Sequence, residues 1–335
     1  MITDAIQKLI ERSDLTAAEA RSAMEEIMAG KASDAQIAAF LTALRMKGET
    51  STELVSFARV MRERAERFWD GEVLAVLDTA GTGGDRSGTF NISTAAAFVA
   101  AGAGVRVAKH GNRAASSKCG SADVMEALGV DIQMPIEVLR RAVTEVGIGF
   151  LFAQRFHSSM KYVAPVRSQL KVRTVFNILG PLANPASARF QVIGVASAEV
   201  IDLMSNALAG LEVEHAFVVH GDDGVDEISL SARTQVTEVR GGEMRTFFIS
   251  PEDFGIARAS AESIRGGDAP ENAAIIEGVL GGNPGPHRDV VLLNAAAAIT
   301  AGGAAESLNE GIRVAADSID SGSALKKLQA LREFR

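Results

Sequence analysis

The chain has 335 residues, 47% of them hydrophobic and 23% charged, enough for one large core and a smaller companion domain, so an ordered globular protein is expected. Lys and Arg total 34 against 42 Asp and Glu, a net charge of -8. That is the wrong sign for a protein whose main partner is a nucleic-acid backbone, although a local site on an acidic protein can still be positive. A single cysteine, Cys119, excludes an internal disulfide framework and fits a reducing compartment.

The N-terminal run MITDAIQKLIERSD carries acidic residues from position 4 and no apolar stretch ahead of a small-residue cleavage site, so no signal peptide is expected. The most apolar stretches, 94–107 and 290–300, are alanine-rich and short of the roughly 20 residues that span a bilayer. No membrane partner is expected, and the expected location is cytoplasmic.

Residues 1–68 read as helices. Three capping boxes, Thr16 with Glu19, Ser33 with Gln36 and Thr50 with Glu53, each precede an apolar run at helical spacing, and Gly30 and Gly48 close the first two. Ala20, Met24, Ile27 and Met28 fall on one face, as do Ile37, Phe40, Leu41 and Leu44, the pattern of helices packing on each other. A small helical domain over 1–70 is expected, followed by a large domain over 71–335.

From Val73 short β-type runs alternate with glycine-rich turns and helices, which predicts an α/β fold with a mainly parallel sheet. The strands are expected at 74–77, 105–108, 148–152, 190–195, 216–220, 234–239 and 245–249. Residues 162–182 are again helix-like and are candidates to fold back on the N-terminal helices.

Two loops carry the first chemical signals. Gly81, Thr82, Gly83, Gly84 and Asp85 follow the first expected strand and precede a helix beginning near Ser93. Glycines let backbone amides approach an anion, and the helix adds its positive end. The spacing is neither a dinucleotide fingerprint nor a nucleoside triphosphate loop. An ordinary flexible turn is the plain alternative for the glycines alone, but Asn91, Ser93 and Thr94 are more polar groups than a helix cap needs. The second loop runs from Lys109 to Ser121 and concentrates three cations, three serines and two glycines where open α/β sheets bind ligands. A solvated basic turn is its alternative, disfavoured on an acidic chain that has little reason to gather cations without an anion.

GTGGD at 81–85, the run Asn91-Ile92-Ser93-Thr94, and KHGNRAASSKCGSADVMEALGV at 109–130 together resemble the anthranilate phosphoribosyltransferase family. The likeness continues through NILGPLANP at 177–185, QVIGV at 191–195 and the Asp226-Glu227 pair. Only Cys119, where serine is usual, and Ala115, where a larger apolar residue is usual, depart from the pattern. The resemblance implies a small helical domain joined to a large α/β domain similar to pyrimidine nucleoside phosphorylases, substrates in the cleft between them, and a homodimer through the N-terminal helices. It implies transfer of the phosphoribosyl group of phosphoribosyl pyrophosphate (PRPP) to the amine of anthranilate, a step of tryptophan biosynthesis, with two Mg2+ ions.

Carried over position by position, the resemblance assigns PRPP to Gly81, Gly84, Asp85, Thr89, Asn91, Ile92, Ser93 and Thr94. The second loop continues that site through Lys109, His110, Gly111, Asn112, Arg113, Ala114, Ala115, Ser116, Ser117 and Ser121. Gly81, Asn112 and Arg167 are implied for anthranilate, and Ser93, Asp226 and Glu227 for the metal; Lys109, Asp226 and Glu227 are the expected catalytic groups. Read without the family, Asp226 and Glu227 offer hard oxygen ligands suited to Mg2+, with a solvated acidic turn as the alternative. Arg167 has a planar fork suited to a carboxylate, and His110 and His157 receive no catalytic role. Two rivals stay open: a pyrimidine nucleoside phosphorylase, and a non-catalytic nucleic-acid-binding relative, against which the net charge argues.

Overall fold

A computed structural model describes residues 1–114 and 118–335. The chain opens with four helices, α1 (Ile2–Ile10), α2 (Ala17–Met28), α3 (Asp34–Lys47) and α4 (Ser51–Arg64). All three expected capping boxes close: Thr16, Ser33 and Thr50 each accept from the amide three residues on at 3.3 Å, each worth about 1 kcal/mol. The buried Glu53 does more than cap, accepting also from the Leu15 amide at 3.0 Å and from Lys47 Nζ at 3.1 Å, so one carboxylate ties α4 to the start of α2 and the end of α3.

Seven strands follow: β1 (Leu77–Thr79), β2 (Val107–Gly111), β3 (Ile148–Phe152), β4 (Phe190–Gly194), β5 (His215–Gly221), β6 (Thr234–Arg240) and β7 (Glu243–Ile249). Their order is β3-β2-β1-β4-β5-β6-β7, parallel through β5 and antiparallel for the last two pairings. Gly241 and Gly242 join β6 to β7 with φ of +58° and +85°, the backbone a two-residue hairpin turn demands.

Helices fill the parallel crossovers: α5 (Ile92–Gly102) after β1, α6 (Ser121–Ala127) and α7 (Ile136–Arg141) after β2, α8 (Ala153–Phe156), α9 (Ala164–Leu170) and α10 (Phe176–Leu179) after β3, and α11 (Glu199–Gly210) after β4. Four more close the chain, α12 (Ala269–Leu280), α13 (Pro286–Ala301), α14 (Leu308–Asp320) and α15 (Ser323–Glu333).

Two strands sit later than the sequence suggests. The run 105–108 yields a strand only from Val107, because the Val105 amide still donates to Ala100 O and closes the end of α5. The strand therefore extends through Lys109 and His110, which the sequence placed in the loop. The first strand shifts from 74–77 to Leu77–Thr79 because its ladder partner β4 begins only at Phe190.

Alternation along β5 splits the core in two. Phe217 and Val219 face a cluster built with α5 and α12 to α15, whereas Ala216 and Val218 face a second cluster shared with α11 and the N-terminal helices. Val163, Val166, Val175, Phe176, Leu179 and Leu182 belong to that second cluster, so residues 162–182 pack on the helical side of the sheet.

Candidate active site

β1 is where the winding reverses, with β2 and β3 on one side and β4 and β5 on the other. Loops leaving the carboxyl ends of β1 and β4 diverge there and open a crevice. The glycine loop after β1 is laid along β4 by Ala80 N to Val192 O at 3.1 Å and Thr82 N to Gly194 O at 2.8 Å. A Cβ on Gly81 would stand 2.8 Å from Asp226 Oδ2, and one on Gly194 would collide with the Asp226 carbonyl oxygen. Both glycines are required because the acidic loop lies directly against them.

The acidic pair faces both amide-bearing turns. Asp226 Oδ2 accepts from the Gly83 amide at 2.9 Å, and Glu227 Oε1 accepts from the Ser93 amide at 3.2 Å. Asp85 Oδ2 lies 3.5 Å from the Asp226 amide. Behind the pair, Asn294 of α13 clamps Ile228 through both its amide and its carbonyl, at 2.9 and 3.0 Å. Burial, then the nearby Asp85 charge, pushes Asp226 up to about 7; burial, then Asp226, pushes Glu227 up to about 8. Asp222 and Asp223, the other acids of this loop, are spent on Arg233 at 2.9 Å and on the Ser229 hydroxyl at 2.7 Å.

Lys109 enters from below, buried, its Nζ donating to Thr79 O and lying 3.3 Å from Thr79 Oγ1 and 3.4 Å from Ser93 Oγ. Burial lowers its pKa, while Asp78 and Glu227 oppose that shift. The buried Asp78 accepts from the His110 amide at 3.0 Å and from Asn184 Nδ2 at 2.8 Å, which fixes the β2 exit against the turn after α10. A small cavity of about 10 Å3, lined among others by Thr79, Gly81, Ser93, Glu227 and Asn294, lies between these groups.

The remaining residues of the two candidate loops are distributed unevenly. Asn91 precedes α5 but does not cap it; its Nδ2 donates to Cys119 O at 3.3 Å and its Oδ1 accepts from Asn272 at 2.9 Å, so it ties the two loops together. Ile92 and Thr94 are buried in the first turn of α5. Thr89 shares a 3.1 Å hydroxyl contact with Ser87. Gly111 is closed in by Ser121 Oγ and the Phe150 ring, leaving no room for a side chain. Asn112 accepts from Gln154 at 3.3 Å, and its carbonyl accepts from Ser121 Oγ at 3.3 Å. Arg113 is paired with Asp123 at 3.0 Å and with Glu126, and Ala114 N donates to Asp123 at 3.0 Å. Ala115, Ser116 and Ser117 lie outside the described residues.

On the other wall Arg167 projects from α9 with its guanidinium 5.6 Å from the Phe176 ring centre. Burial lowers its pKa, and among the described residues no carboxylate pairs with it. His110 and His157 stack edge to face at 5.2 Å; His110 Nδ1 meets Gly180 O at 3.2 Å, and both Nε2 atoms are buried without a partner among the described residues. Burial holds the two rings at about 3 and about 4, so both are neutral.

These features can be set against known proteins. A family model described as "Glycosyl transferase family, a/b domain" matches residues 74–325, and one described as "Glycosyl transferase family, helical bundle domain" matches residues 3–65. Anthranilate phosphoribosyltransferase from Chloroflexus aggregans is 56% identical over 333 residues, covering 98% of this chain and 97% of that protein. The chain belongs to the anthranilate phosphoribosyltransferase family. Among solved family members, the crystal structure of the enzyme from Thermus thermophilus matches at 45% identity and a TM-score of 0.91, covering 99% of both chains. The Saccharomyces cerevisiae enzyme, solved in complex with PRPP and Mg, matches at 29% identity and a TM-score of 0.90, covering 98% of this chain and 96% of that one.

Sequence reasoning missed Asp78, Asn184 and Asn294. Asn294 left a signal, as the one polar residue within VVLLNAAAAI, the apolar middle of α13. The others are single polar residues whose partners lie in distant segments.

Proposed function

We propose that the protein transfers the phosphoribosyl group of PRPP to the amine of anthranilate, releasing pyrophosphate, as in tryptophan biosynthesis. One observation carries the reading: amides of two separate phosphate-type turns, Gly83 and Ser93, converge on the half-buried Asp226-Glu227 pair. In this arrangement the carboxylates occupy the donors that an anion would otherwise take.

The donor set fits Mg2+. Asp226, Glu227 and the Ser93 hydroxyl offer hard oxygens, and burial, with like-charge crowding second, has raised the two carboxylates, a penalty that a divalent cation relieves. The carboxylates and Ser93 would hold two ions. Bound metal supplies charge neutralisation of the leaving diphosphate.

The chain's own groups do the rest. As the arylamine nitrogen bonds to ribose C1, the C1–O bond breaks, its electron pair leaves with pyrophosphate, and the amine proton passes to water. Lys109 and the loop amides hold the diphosphate end, with Gly84, Asp85, Thr89 and the 109–121 loop around the ribose and phosphates, and Gly81 and Asn112 where the two substrates meet. Arg167, a half-buried cation lacking a protein carboxylate among the described residues, takes the carboxylate of anthranilate. A neutral arylamine needs no strong base, which agrees with two histidines beside the cleft that burial leaves only weakly basic. Catalysis is then positioning and electrostatics.

We also assign a homodimer to the helical domain, divided from the rest near residue 70. Met1, Ile10 and Met46 are its exposed large apolar side chains, and light scattering of wild type against Met46→Glu tests it.

The deciding assay follows loss of anthranilate fluorescence with PRPP, with and without Mg2+. Turnover that requires both PRPP and the metal is expected. Absence of turnover, together with phosphate-dependent cleavage of thymidine or uridine, would replace this reading with a nucleoside phosphorylase.

A further inference from the structure

We propose that Arg173 is a further substrate-binding residue, the cation that closes the diphosphate end of the cleft from the helical side. The inference rests on the proposed reaction and adds to it a residue that the sequence did not single out.

Arg173 lies three residues beyond α9. Lys171 ends that helix with φ +53°, and the Thr174 amide is fixed by Asn177 Oδ1 at 2.9 Å, so the intervening chain turns back toward β1. From there Arg173 Nη1 donates to Gly83 O at 3.0 Å. The same Gly83 residue gives its amide to Asp226 at 2.9 Å. One glycine thus separates an exposed guanidinium from the carboxylate assigned to the metal.

Gly84 belongs to the same device. Its φ of +82° calls for glycine on backbone grounds, and the Arg173 guanidinium crosses the loop directly over it, where a Cβ would meet Nη1.

The charge balance of the cleft supports the same conclusion. Lys109 brings positive charge to the diphosphate end, but it is buried and its ammonium donors are already directed at Thr79 and Ser93, so a second cation with free donors completes the hold. Arg113 is neutralised by Asp123 and Glu126. Arg173 makes no ion pair among the described residues, and one contact to a carbonyl uses one of its five donors. Its planar fork matches phosphate oxygens. Arg167, six residues earlier, faces the arylamine side, so a single segment delivers one cation to each substrate.

The test compares Arg173→Ala, Arg173→Gln and Arg173→Lys with the wild-type protein. Steady-state kinetics give the KM for PRPP and, at saturating PRPP, the KM for anthranilate; calorimetry gives the binding of inorganic pyrophosphate in excess Mg2+. Arg173→Ala and Arg173→Gln should each raise the PRPP KM and weaken pyrophosphate by about tenfold or more, with the anthranilate KM unchanged, and Arg173→Lys should recover part of the loss. Gln keeps a donor for Gly83 O but no charge, so a wild-type-like Arg173→Gln would reduce Arg173 to a strut for the loop and overturn the proposal. So would an equal rise in both KM values. Wild-type protein that binds pyrophosphate but turns over no anthranilate would overturn the reaction assigned above; pyrophosphate affinity in the variants still decides the role of Arg173.

Discussion

Replacing Gly194 with alanine probes the contact on which the candidate metal site is built. The added Cβ would strike the Asp226 carbonyl oxygen and stand 2.5 Å from its carbonyl carbon, where ordinary contact begins at 3.4 Å. Backbone meets backbone here, so no side chain can swing aside, and the Asp226-Glu227 segment must retreat by about 2 Å to bring its carbonyl oxygen to normal packing distance. Asn294 holds Ile228 on the far side, so part of the strain remains, an overpacking cost of about 1–3 kcal/mol. A displacement of about 1 Å at a reacting centre costs about 100-fold in rate. The assay is kcat/KM from anthranilate fluorescence at saturating Mg2+, beside thermal unfolding. Gly71→Ala serves as control, since nothing lies within 4 Å of its would-be Cβ. A Gly194→Ala protein retaining kcat/KM within about twofold of wild type would refute the close packing of the acidic loop on β4.

Three further outcomes are expected. Changing Asp226 and Glu227 together to alanine should abolish Mg2+-dependent turnover while removing two strained carboxylates from the fold, so the melting temperature in metal-free buffer near pH 8 should hold or rise; near-normal activity would take both residues out of the site. Arg167→Ala should raise the KM for anthranilate by about tenfold or more and leave that for PRPP in place, and an unchanged anthranilate response would contradict its assignment. Acid should act through His110 and His157, whose folded values of about 3 and about 4 lie below the unfolded value near 6.5. Their contribution is complete above about pH 6.5 and is lost as pH falls toward 4 and 3, on the order of a few kcal/mol. Asp78, pushed up to about 6, and the acidic pair act in the opposite direction. The informative quantity is therefore the drop in melting temperature between pH 7.5 and 5, compared with that of the His110→Gln, His157→Gln double variant. An equal drop in the two proteins would remove the histidines as its source.

Some of this molecule can be read from its letters. The capping boxes at Thr16, Ser33 and Thr50 close as the sequence requires, because a cap joins atoms three residues apart and needs no tertiary help. The glycine loop and the acidic pair are recognisable for a similar reason: in the proposed reaction, backbone that admits an anion and carboxylates that hold a hard cation restrict residue type at the position itself. The family likeness rests on those restricted positions.

What the letters could not settle is which groups meet. The Gly83 amide finds Asp226 across 143 residues, Ser93 finds Glu227 across 134, and Arg173 reaches Gly83 across 90. The same is true of Asn91, which reads as a cap or a ligand and instead joins Cys119 to Asn272. Those pairings depend on strand order, on the reversal of winding at β1 and on the turn that brings residues 171–174 back over the glycine loop. Residue type is selected locally by backbone freedom, charge and capping, whereas contact between distant polar groups exists only once apolar faces have chosen their neighbours and brought the loops together.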